Sequence, residues 1–354
     1  MRPNAPDLLR EALAQLGADA LLITSPANVR YLSGFSSPAD ARVLLTQEDI
    51  TLVTDGRYTV QAETESRVPV HITQMGRERL PQVAELAKGR QLAFEAEHLS
   101  VADYSVLQDI LKQTMLPTKG MIEKLRTIKT PQELDTLREA ARLTDLAFTH
   151  ILNIIKVGLS EVEVALELES FLRREGAQGV AFDIIVASGE RGALPHGSAS
   201  SKLLQNGELI TLDFGAVVEG YHSDMTRTVA LGEPSEAHER LYMAVLSAQE
   251  AALSQIKAGA DSQKVDAAAR DSLKTQDLAQ YFTHSLGHGV GLDVHEAPSL
   301  NSRKSVTLQE NMCVTVEPGV YIPDDTGLRI EDLVVVGASG YENLCSSTKD
   351  LLKL

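Results

Sequence analysis

Two pairs of acidic residues occupy matching positions in the second two-thirds of the 354-residue chain. Asp213 is followed eleven residues later by Asp224, and Glu317 is followed fourteen residues later by Glu331. In each pair the first acid ends one predicted strand and the second lies on the next strand, so a hairpin can return the second carboxylate to the first. The spacing therefore predicts four carboxylates grouped in two pairs.

Apolar, β-forming residues surround Asp213 and Glu317, which indicates that both carboxylates point into partly buried space. Buried carboxylates without a counter-charge are very unfavourable, and Arg329 is the only basic residue in these short segments. Two divalent metal ions would neutralise all four acids. Carboxylate-bridged metal pairs are a recurrent hydrolytic device, so the residues favour metal-assisted hydrolysis.

Three of the nine histidines, His284, His288 and His295, fall within twelve residues. The glycines between them argue against a helix, so this is not the helical i, i+4 pair of many zinc sites. We expect His288 to supply a fifth metal ligand and His284 and His295 to lie beside the metals. His196, in a loop rich in glycine and serine, is a fourth candidate.

The composition excludes several classes of function. The chain has 33 basic and 49 acidic residues, a net charge of −16 that disfavours nucleic-acid binding. No apolar run approaches the length of a membrane span, and the first residues lack an apolar signal core. Two cysteines are too few for a disulfide scaffold or a thiolate zinc site. We therefore expect a cytoplasmic protein that binds neither nucleic acid nor membrane.

Hydrophobic periodicity predicts two domains that together place the chain in the α+β class. Residues 1–120 alternate short helices and strands, with a hairpin over 42–46 and 50–54, as in a small α/β domain. Residues 121–354 form the second domain, in which 130–232 and 235–340 share the order helix, helix, strand, strand. Thr130 and Ser160, each followed three residues later by Glu, predict helix starts. This repetition suggests an internal duplication.

On these residues the chain resembles the pita-bread metallopeptidases, and most closely their Xaa-Pro branch of prolidase and aminopeptidase P. The motifs that carry the resemblance are 212–215, 223–228, 284–291, 295–298, 316–319 and 328–332. The resemblance is strong over residues 120–350, while the first 120 match in length and in the segment 31–35. It implies a pita-bread catalytic domain preceded by a creatinase-like domain that covers the site and aids dimerisation.

The resemblance also assigns roles residue by residue and implies a homodimer with two divalent ions, Mn²⁺, Co²⁺ or Zn²⁺, in each subunit. Asp213 holds one metal, His288 and Glu317 hold the other, and Asp224 and Glu331 bridge both. Glu317 is also the implied proton shuttle, with His196 or His295 as donors to the oxyanion. The remaining implied substrate-side residues are His284, Arg329 and Tyr321.

The implied activity is hydrolysis of the bond before proline in small peptides that carry proline at position two. A strict dipeptidase needs a cation for the product carboxylate, and Ser299 stands where many prolidases have arginine. Arg42 is a candidate replacement. Xaa-Pro dipeptidase is the preferred interpretation, aminopeptidase P acting on longer peptides is an alternative, and a metal-free peptide-binding module is the non-enzyme alternative. Methionine aminopeptidase and creatinase fit the residues less well.

Overall fold

The computed structural model describes residues 2–354 and divides into two compact units, one ending at Arg126 and the other spanning Thr127–Leu354. Among the described residues, no helix combines the length and apolar character needed to cross a membrane. Each unit has its own sheet system and its own core. The predicted α+β class is confirmed, with a smaller α/β unit preceding the larger one.

The N-terminal unit is built on one six-stranded mixed sheet with the strand order β4-β3-β2-β1-β5-β6. Its helices and strands are α1 (Ala5–Leu16), β1 (Ala20–Ile23), α2 (Pro26–Ser33), β2 (Arg42–Thr46), β3 (Ile50–Asp55), α3 (Thr59–Glu65), β4 (Val70–Thr73), α4 (Arg79–Leu86), β5 (Leu92–Glu95), α5 (Val101–Leu111), β6 (Leu116–Thr118) and α6 (Met121–Arg126). The predicted hairpin is present, because β2 and β3 pair antiparallel from Arg42↔Val53 to Leu45↔Ile50.

The C-terminal unit contains the predicted repetition. Its first half consists of α7 (Pro131–Ile151), α8 (Glu161–Arg174), β7 (Gly179–Val180), β8 (Ile185–Ser188), β9 (Leu209–Phe214), β10 (Ala216–Val218), β11 (Tyr221–His222) and β12 (Met225–Ala230). Its second half consists of α9 (Glu236–Leu253), α10 (Ser262–Lys274), β13 (Gly287–Gly289), β14 (Glu296–Leu300), β15 (Cys313–Val316), β16 (Gly319–Ile322), β17 (Thr326–Arg329), β18 (Asp332–Val336) and β19 (Tyr341–Asn343). Both halves therefore place two helices before their strands.

The central strands of the second half are buried on both faces. In β15 and β18, Cys313 and Val335 pack into the cluster formed with α7 and α8, whereas Val314 and Val334 pack into the cluster formed with α9 and α10. Side chains that alternate along a strand point to opposite faces, so this sheet lies between two helical layers. The polar groups of the site therefore emerge only where these strands end.

One predicted strand is divided in two. The β-forming residues of 328–336 predict a single strand, but β17 ends at Arg329 and β18 begins at Asp332. Arg329 and Glu331 both hydrogen-bond to Thr226 Oγ1, whereas Asp332 accepts from Arg227, so the side chains still alternate and it is the pairing partner of the strand that changes. β17 pairs with β16 and β18 with β15, so the interruption leaves Glu331 at the junction of two sheets.

Both cysteines are reduced and buried. Cys313 lies within β15, and Cys345 accepts a hydrogen bond from the backbone N–H of Leu333 through its Sγ at 3.3 Å. Burial raises the pKa of Cys313 to about 12 and raises that of Cys345 well above its ordinary value. Both side chains are therefore neutral thiols that contribute to the core.

The start of α7 shows the predicted capping box. The backbone N–H of Glu133 donates to Thr130 Oγ1 at 3.3 Å, and that of Thr130 donates to Glu133 Oε2 at 2.7 Å. Ser160 and Glu163 form the same arrangement at the start of α8. The two predicted helix starts are confirmed.

We expect Thr130→Ala to lower the free energy of unfolding by about 1 kcal/mol, because the N–H of Glu133 loses its acceptor. Urea denaturation followed by circular dichroism measures this change. Thr136→Ala in the same helix is the matched control, since its hydroxyl bonds only to the carbonyl of Gln132. Helix propensity makes the control neutral or slightly stabilising, so equal losses in the two variants would contradict the capping assignment.

Candidate metal centre

The strand register brings the first acidic pair together. β9 and β12 are antiparallel, with Phe214 opposite Met225 and Asp213 opposite Thr226. Asp224 immediately precedes β12, so its position on the returning strand lies near that of Asp213 on β9. The hairpin that the spacing predicted, which brings the second carboxylate back to the first, is therefore present in the first half.

The second acidic pair is aligned by β15 and β18. Val316 pairs with Asp332, so Glu317, which follows β15, and Glu331, which precedes β18, lie at the same end of this ladder. The two halves are joined at this point, because the backbone N–H of Glu331 donates to the carbonyl of Thr226 at 3.1 Å. All four acids consequently meet where the two sheets end.

A cavity of about 470 Å³ lies over these strand ends. It is lined by nine of the eleven predicted site residues: Asp213, Asp224, His288, Glu317, Glu331, His196, His284, His295 and Arg329. Tyr321 is buried and contacts Arg329 and His284. Arg42 belongs to the N-terminal unit, where its Nη1 donates to the carbonyls of Ala39 and Ala41 at 3.3 and 2.7 Å.

Three of the predicted ligands form a compact group. Asp224, His288 and Glu331 each present one ligand atom, and these atoms lie within 4.8 Å of one another. The Nδ1 of His288 is 3.0 Å from the carbonyl oxygen of Gly289, to which it donates in the Nδ1–H tautomer. This leaves Nε2, which lies 3.2 Å from Glu317 Oε1, as the nitrogen that can bind a metal.

Asp213 completes the set with an unused ligand atom. Its Oδ2 accepts a hydrogen bond from Arg329 at 2.5 Å, while its buried Oδ1 has no hydrogen-bond partner among the described residues. A buried carboxylate oxygen without a partner is unfavourable, and a cation would satisfy it. Four carboxylates and one imidazole around this cavity therefore form a ligand set that fits divalent metal ions.

The pKa shifts show how strongly the site favours added positive charge. Burial raises the pKa of Asp213, against the opposing charge of Arg329. Burial also raises the pKa of Asp224 and Glu331 well above their ordinary values, and repulsion between the neighbouring carboxylates adds to the effect. Neutralisation by metal ions would remove this repulsion.

Glu317 differs from the other three acids. Burial opposes its ionisation, but the hydrogen bond and positive charge of His288 outweigh burial and lower the pKa of Glu317 to about 2. Thr315 Oγ1 donates a further hydrogen bond to Glu317 Oε1 at 2.9 Å. Glu317 is thus the acid of the group that ionises most readily when no metal is bound.

A hydrogen-bonded chain runs from the acids to His284. Arg329 donates to Asp213 and, from Nη1 at 2.5 Å, to the hydroxyl of Tyr321, which is 2.9 Å from His284 Nε2. Burial raises the pKa of Tyr321 to about 12, so its phenol stays protonated. Burial lowers the pKa of His284, which favours the neutral ring. The chain fixes Arg329 and His284 in one orientation.

His295 and His196 occupy the open side of the cavity. The ring of His295 lies 4.3 Å from that of His288, measured between centroids, and its side chain is exposed. Partial desolvation and the positive charge of His288 lower the pKa of His295, which favours a neutral imidazole. His196 is exposed in the loop that follows the short 3₁₀-helix Gly189–Ala193. Both rings can reach a ligand in the cavity.

Sequence comparison decides the family. Residues 135–338 match the sequence family described as metallopeptidase family M24, and residues 7–128 match the creatinase/prolidase N-terminal domain. The chain belongs to metallopeptidase family M24. This M24 chain is accordingly a metallopeptidase, and its catalytic unit carries the repetition that the strand and helix order indicated.

Its relatives extend the similarity over the full length. Peptidase YqhT of Bacillus subtilis is 42% identical over 98% of this chain and 99% of its own length. The structure titled Xaa-Pro dipeptidase from Bacillus anthracis is 42% identical and covers 99% of both chains with a TM-score of 0.96. The X-Pro aminopeptidase from Thermotoga maritima is 35% identical, covers 97% of this chain and 100% of its own, and has a TM-score of 0.90.

Two threonines of this M24 enzyme support the acids and were missed by sequence reasoning. Thr226 Oγ1 donates to Glu331 Oε2 at 2.7 Å. Thr315 Oγ1, besides its bond to Glu317, accepts from the backbone N–H of His288 at 3.0 Å. A usable signal was present, because Thr315 lies two residues before Glu317 and alternation places both on one face of the strand.

A network of buried charged side chains supports the backbone on either side of Glu331 in the M24 site. Arg227 donates to Asp332 Oδ1 at 2.7 Å and to the backbone carbonyls of Glu331 and Ser347. Lys349 donates to Asp332 Oδ2 at 2.9 Å. The side chains of Arg227 and Asp332 are almost fully buried. The C-terminal segment is therefore fastened directly to the backbone that presents Glu331.

Proposed function

We propose that this M24 enzyme cleaves the bond between an N-terminal residue and a proline at position two of a small peptide. The observation that carries the proposal is the convergence of five ligand side chains on one cavity, with the Oδ1 of Asp213 left unpaired there. The similarity to proteins titled Xaa-Pro dipeptidase and X-Pro aminopeptidase supports this choice of substrate.

The metal part of the proposal assigns two divalent ions to the five ligands. Asp213, Asp224, His288, Glu317 and Glu331 would together hold these ions. Four carboxylates and one imidazole form a hard, oxygen-rich set that suits Mn²⁺, with Co²⁺ or Zn²⁺ as alternatives. When bound, the ions polarise the peptide carbonyl and lower the pKa of a coordinated water.

The side chains supply the remaining chemistry. Glu317, which Thr315 holds in place, accepts the proton of the attacking water and returns it to the leaving nitrogen. His295 and His196 donate N–H groups to the oxygen of the tetrahedral intermediate. The nitrogen of the scissile bond belongs to proline and has no N–H. Recognition therefore depends on ring shape, for which Phe182 and Ile185 provide an apolar wall.

Selectivity for dipeptides depends on a cation for the carboxylate of the product. Ser299 lines the cavity without a charge, and its Oγ accepts a hydrogen bond from Asn301 Nδ2 at 2.6 Å. We assign the cation to Arg42. This assignment comes from the sequence, in which Arg42 is the basic residue that follows the segment 31–35 shared with the family.

We expect Arg42→Ala to lower kcat/KM for Ala-Pro about 10-fold or more, since one charge-assisted hydrogen bond contributes about 1.5–3 kcal/mol. The tripeptide Ala-Pro-Ala places its carboxylate elsewhere and is expected to lose less. Steady-state kinetics on both peptides measures the difference. Arg77→Ala, an exposed arginine of the same unit, is the control. Equal losses on the two peptides would remove the assignment.

A substrate panel tests the function itself. We expect the Mn²⁺-loaded enzyme to cleave Met-Pro and Ala-Pro and to leave Met-Ala intact. Faster cleavage of Xaa-Pro-Xaa peptides than of Xaa-Pro dipeptides would instead favour aminopeptidase P activity. Cleavage of Met-Ala would contradict proline selectivity. Near-zero metal content after saturation with Mn²⁺ would favour a metal-free peptide-binding module.

The proposal also includes assembly and location. On the basis of the resemblance to the Xaa-Pro branch, we propose that the enzyme is a homodimer and acts in the cytoplasm. Size-exclusion chromatography with light scattering gives the mass in solution, for which two copies of the 38.3 kDa chain are expected. A monomeric mass at micromolar concentration would overturn the dimer.

A further inference from the structure

We propose that the buried ion pair between Lys129 and Glu296 is a positioning device for the imidazole of His295. The inference rests on the function proposed above, in which His295 donates to the oxyanion. Lys129 and Glu296 themselves act only through the segment that carries His295.

The ion pair is short and almost fully removed from solvent. Lys129 Nζ lies 2.8 Å from Glu296 Oε1, and the two side chains are 1% and 6% exposed. Glu296 directly follows His295 in the chain and begins β14. Lys129 is the third residue of the C-terminal unit, and its backbone N–H donates to the carbonyl of Asn311 at 2.9 Å. The pair therefore ties the segment after His295 to a fixed point of the fold.

The other end of the same segment is fixed at Gly291. The backbone N–H of His222 donates to the carbonyl oxygen of Gly291 at 2.9 Å, and the Nδ1 of His222 lies 3.1 Å from that oxygen. A Cβ at Gly291 would lie only 2.5 Å from Glu296 Oε1. The carboxylate of Glu296 therefore lies close against Gly291, so the two ends of the segment 291–296 are near each other.

The position of His295 depends on the fixed segment around it, because its own side chain makes few contacts. It is exposed on the cavity wall, and its ring contact is with His288 at 4.3 Å between centroids. Its orientation is therefore set mainly by the backbone on either side. Displacing a catalytic group by about 1 Å can lower the rate about 100-fold. A small relaxation of Glu296 would be enough to move the imidazole away from a developing oxyanion.

Stability alone does not explain why a lysine and a glutamate occupy these positions. Replacing a buried ion pair by apolar residues of similar volume is often neutral or stabilising. Unlike an apolar contact, the ion pair is directional. The 2.8 Å hydrogen bond from Lys129 to one oxygen of Glu296 defines where the carboxylate lies. That directional constraint is passed to the adjacent His295.

The test uses Lys129→Met/Glu296→Leu, because either single substitution would leave an unpaired buried charge and risk unfolding. We expect kcat for Ala-Pro to fall at least about 10-fold, with KM and the metal content per subunit unchanged. In a His295→Ala background the same pair of substitutions is expected to change kcat less than about 2-fold. The control is Arg138→Met/Glu342→Leu, which removes an exposed ion pair of the same 2.8 Å length.

A second measurement does not require activity. In Zn²⁺-loaded protein labelled at histidine ¹³Cε1, the His295 resonance is identified by its loss in His295→Ala. We expect Lys129→Met/Glu296→Leu to shift or broaden this resonance and the exposed-pair control to leave it unchanged. An unchanged resonance, or equal losses of kcat in both backgrounds, would overturn the inference. If the wild type cleaves no Xaa-Pro peptide, the proposed function fails, and the resonance alone decides whether Lys129 positions His295.

Discussion

Asp224→Asn is expected to abolish peptidase activity, with kcat/KM lowered more than about 100-fold. The substitution keeps the size of the side chain but removes the negative charge with which Asp224 would bridge two cations. The carboxamide also cannot offer two equivalent anionic oxygens. Metal analysis after Mn²⁺ loading and desalting is expected to find fewer than two ions per subunit. Wild-type turnover or a full metal complement in this variant would contradict the bridging assignment.

When both proteins are free of metal, the Asp224→Asn variant is expected to be more stable than the wild type. Burial and the charges of Glu331 and Asp213 disfavour the ionised form of Asp224, so a neutral amide relieves that strain. Mn²⁺ at 100 times its dissociation constant stabilises the wild type by about 2.7 kcal/mol, a gain that the variant should lack. Thermal unfolding with and without Mn²⁺ measures both effects. Asp135→Asn, an exposed acid paired with Arg138, should respond to metal like the wild type.

Arg227→Met is expected to cause the largest loss of stability, about 3–5 kcal/mol of unfolding free energy. The substitution leaves the fully buried Asp332 with an uncompensated oxygen and frees the carbonyls of Glu331 and Ser347. Chemical denaturation monitored by circular dichroism gives the value. Adding Asp332→Asn should restore part of the loss, because the Oδ1 that Arg227 paired with then no longer shares a negative charge.

The control for this prediction is Arg138→Met. Arg138 pairs with Glu342 at 2.8 Å, but the side chains are 41% and 48% exposed, and such pairs contribute about 0–1 kcal/mol. A loss in Arg227→Met no larger than that of Arg138→Met would show that the buried network is dispensable. A large loss would show that the buried network around Arg227 stabilises the backbone that presents Glu331.

Much of the catalytic unit could be predicted because its determinants are local. Apolar neighbours and alternation placed Asp213 and Glu317 at strand ends, and the register of β9–β12 and β15–β18 agrees with that prediction. Helix caps at Thr130 and Ser160 depend on residues three apart, which a single sequence displays directly.

What could not be predicted depends on partners far apart in the chain. The division between β17 and β18 accompanies a change of pairing partner, from β16 to β15, which the local residue pattern does not display. The β-forming residues of 182–186 predict a strand there, but the observed strand runs over Ile185–Ser188, where it pairs with β9 up to Ile210. Spacing also gave no indication that Lys129 pairs with Glu296, since the two residues lie 167 positions apart.

The deep burial of Cys313 and Cys345 has a practical consequence. Because both sulfurs are protonated and shielded, alkylating agents should react with them only when the surrounding layers open, and their modification reports that opening. Cys313 lies between the two helical layers, and Cys345 lies beside the C-terminal segment. The labelling rate of Cys345 should therefore report local release of the C-terminal segment. The labelling rate of Cys313 should report separation of the two helical layers of the catalytic unit.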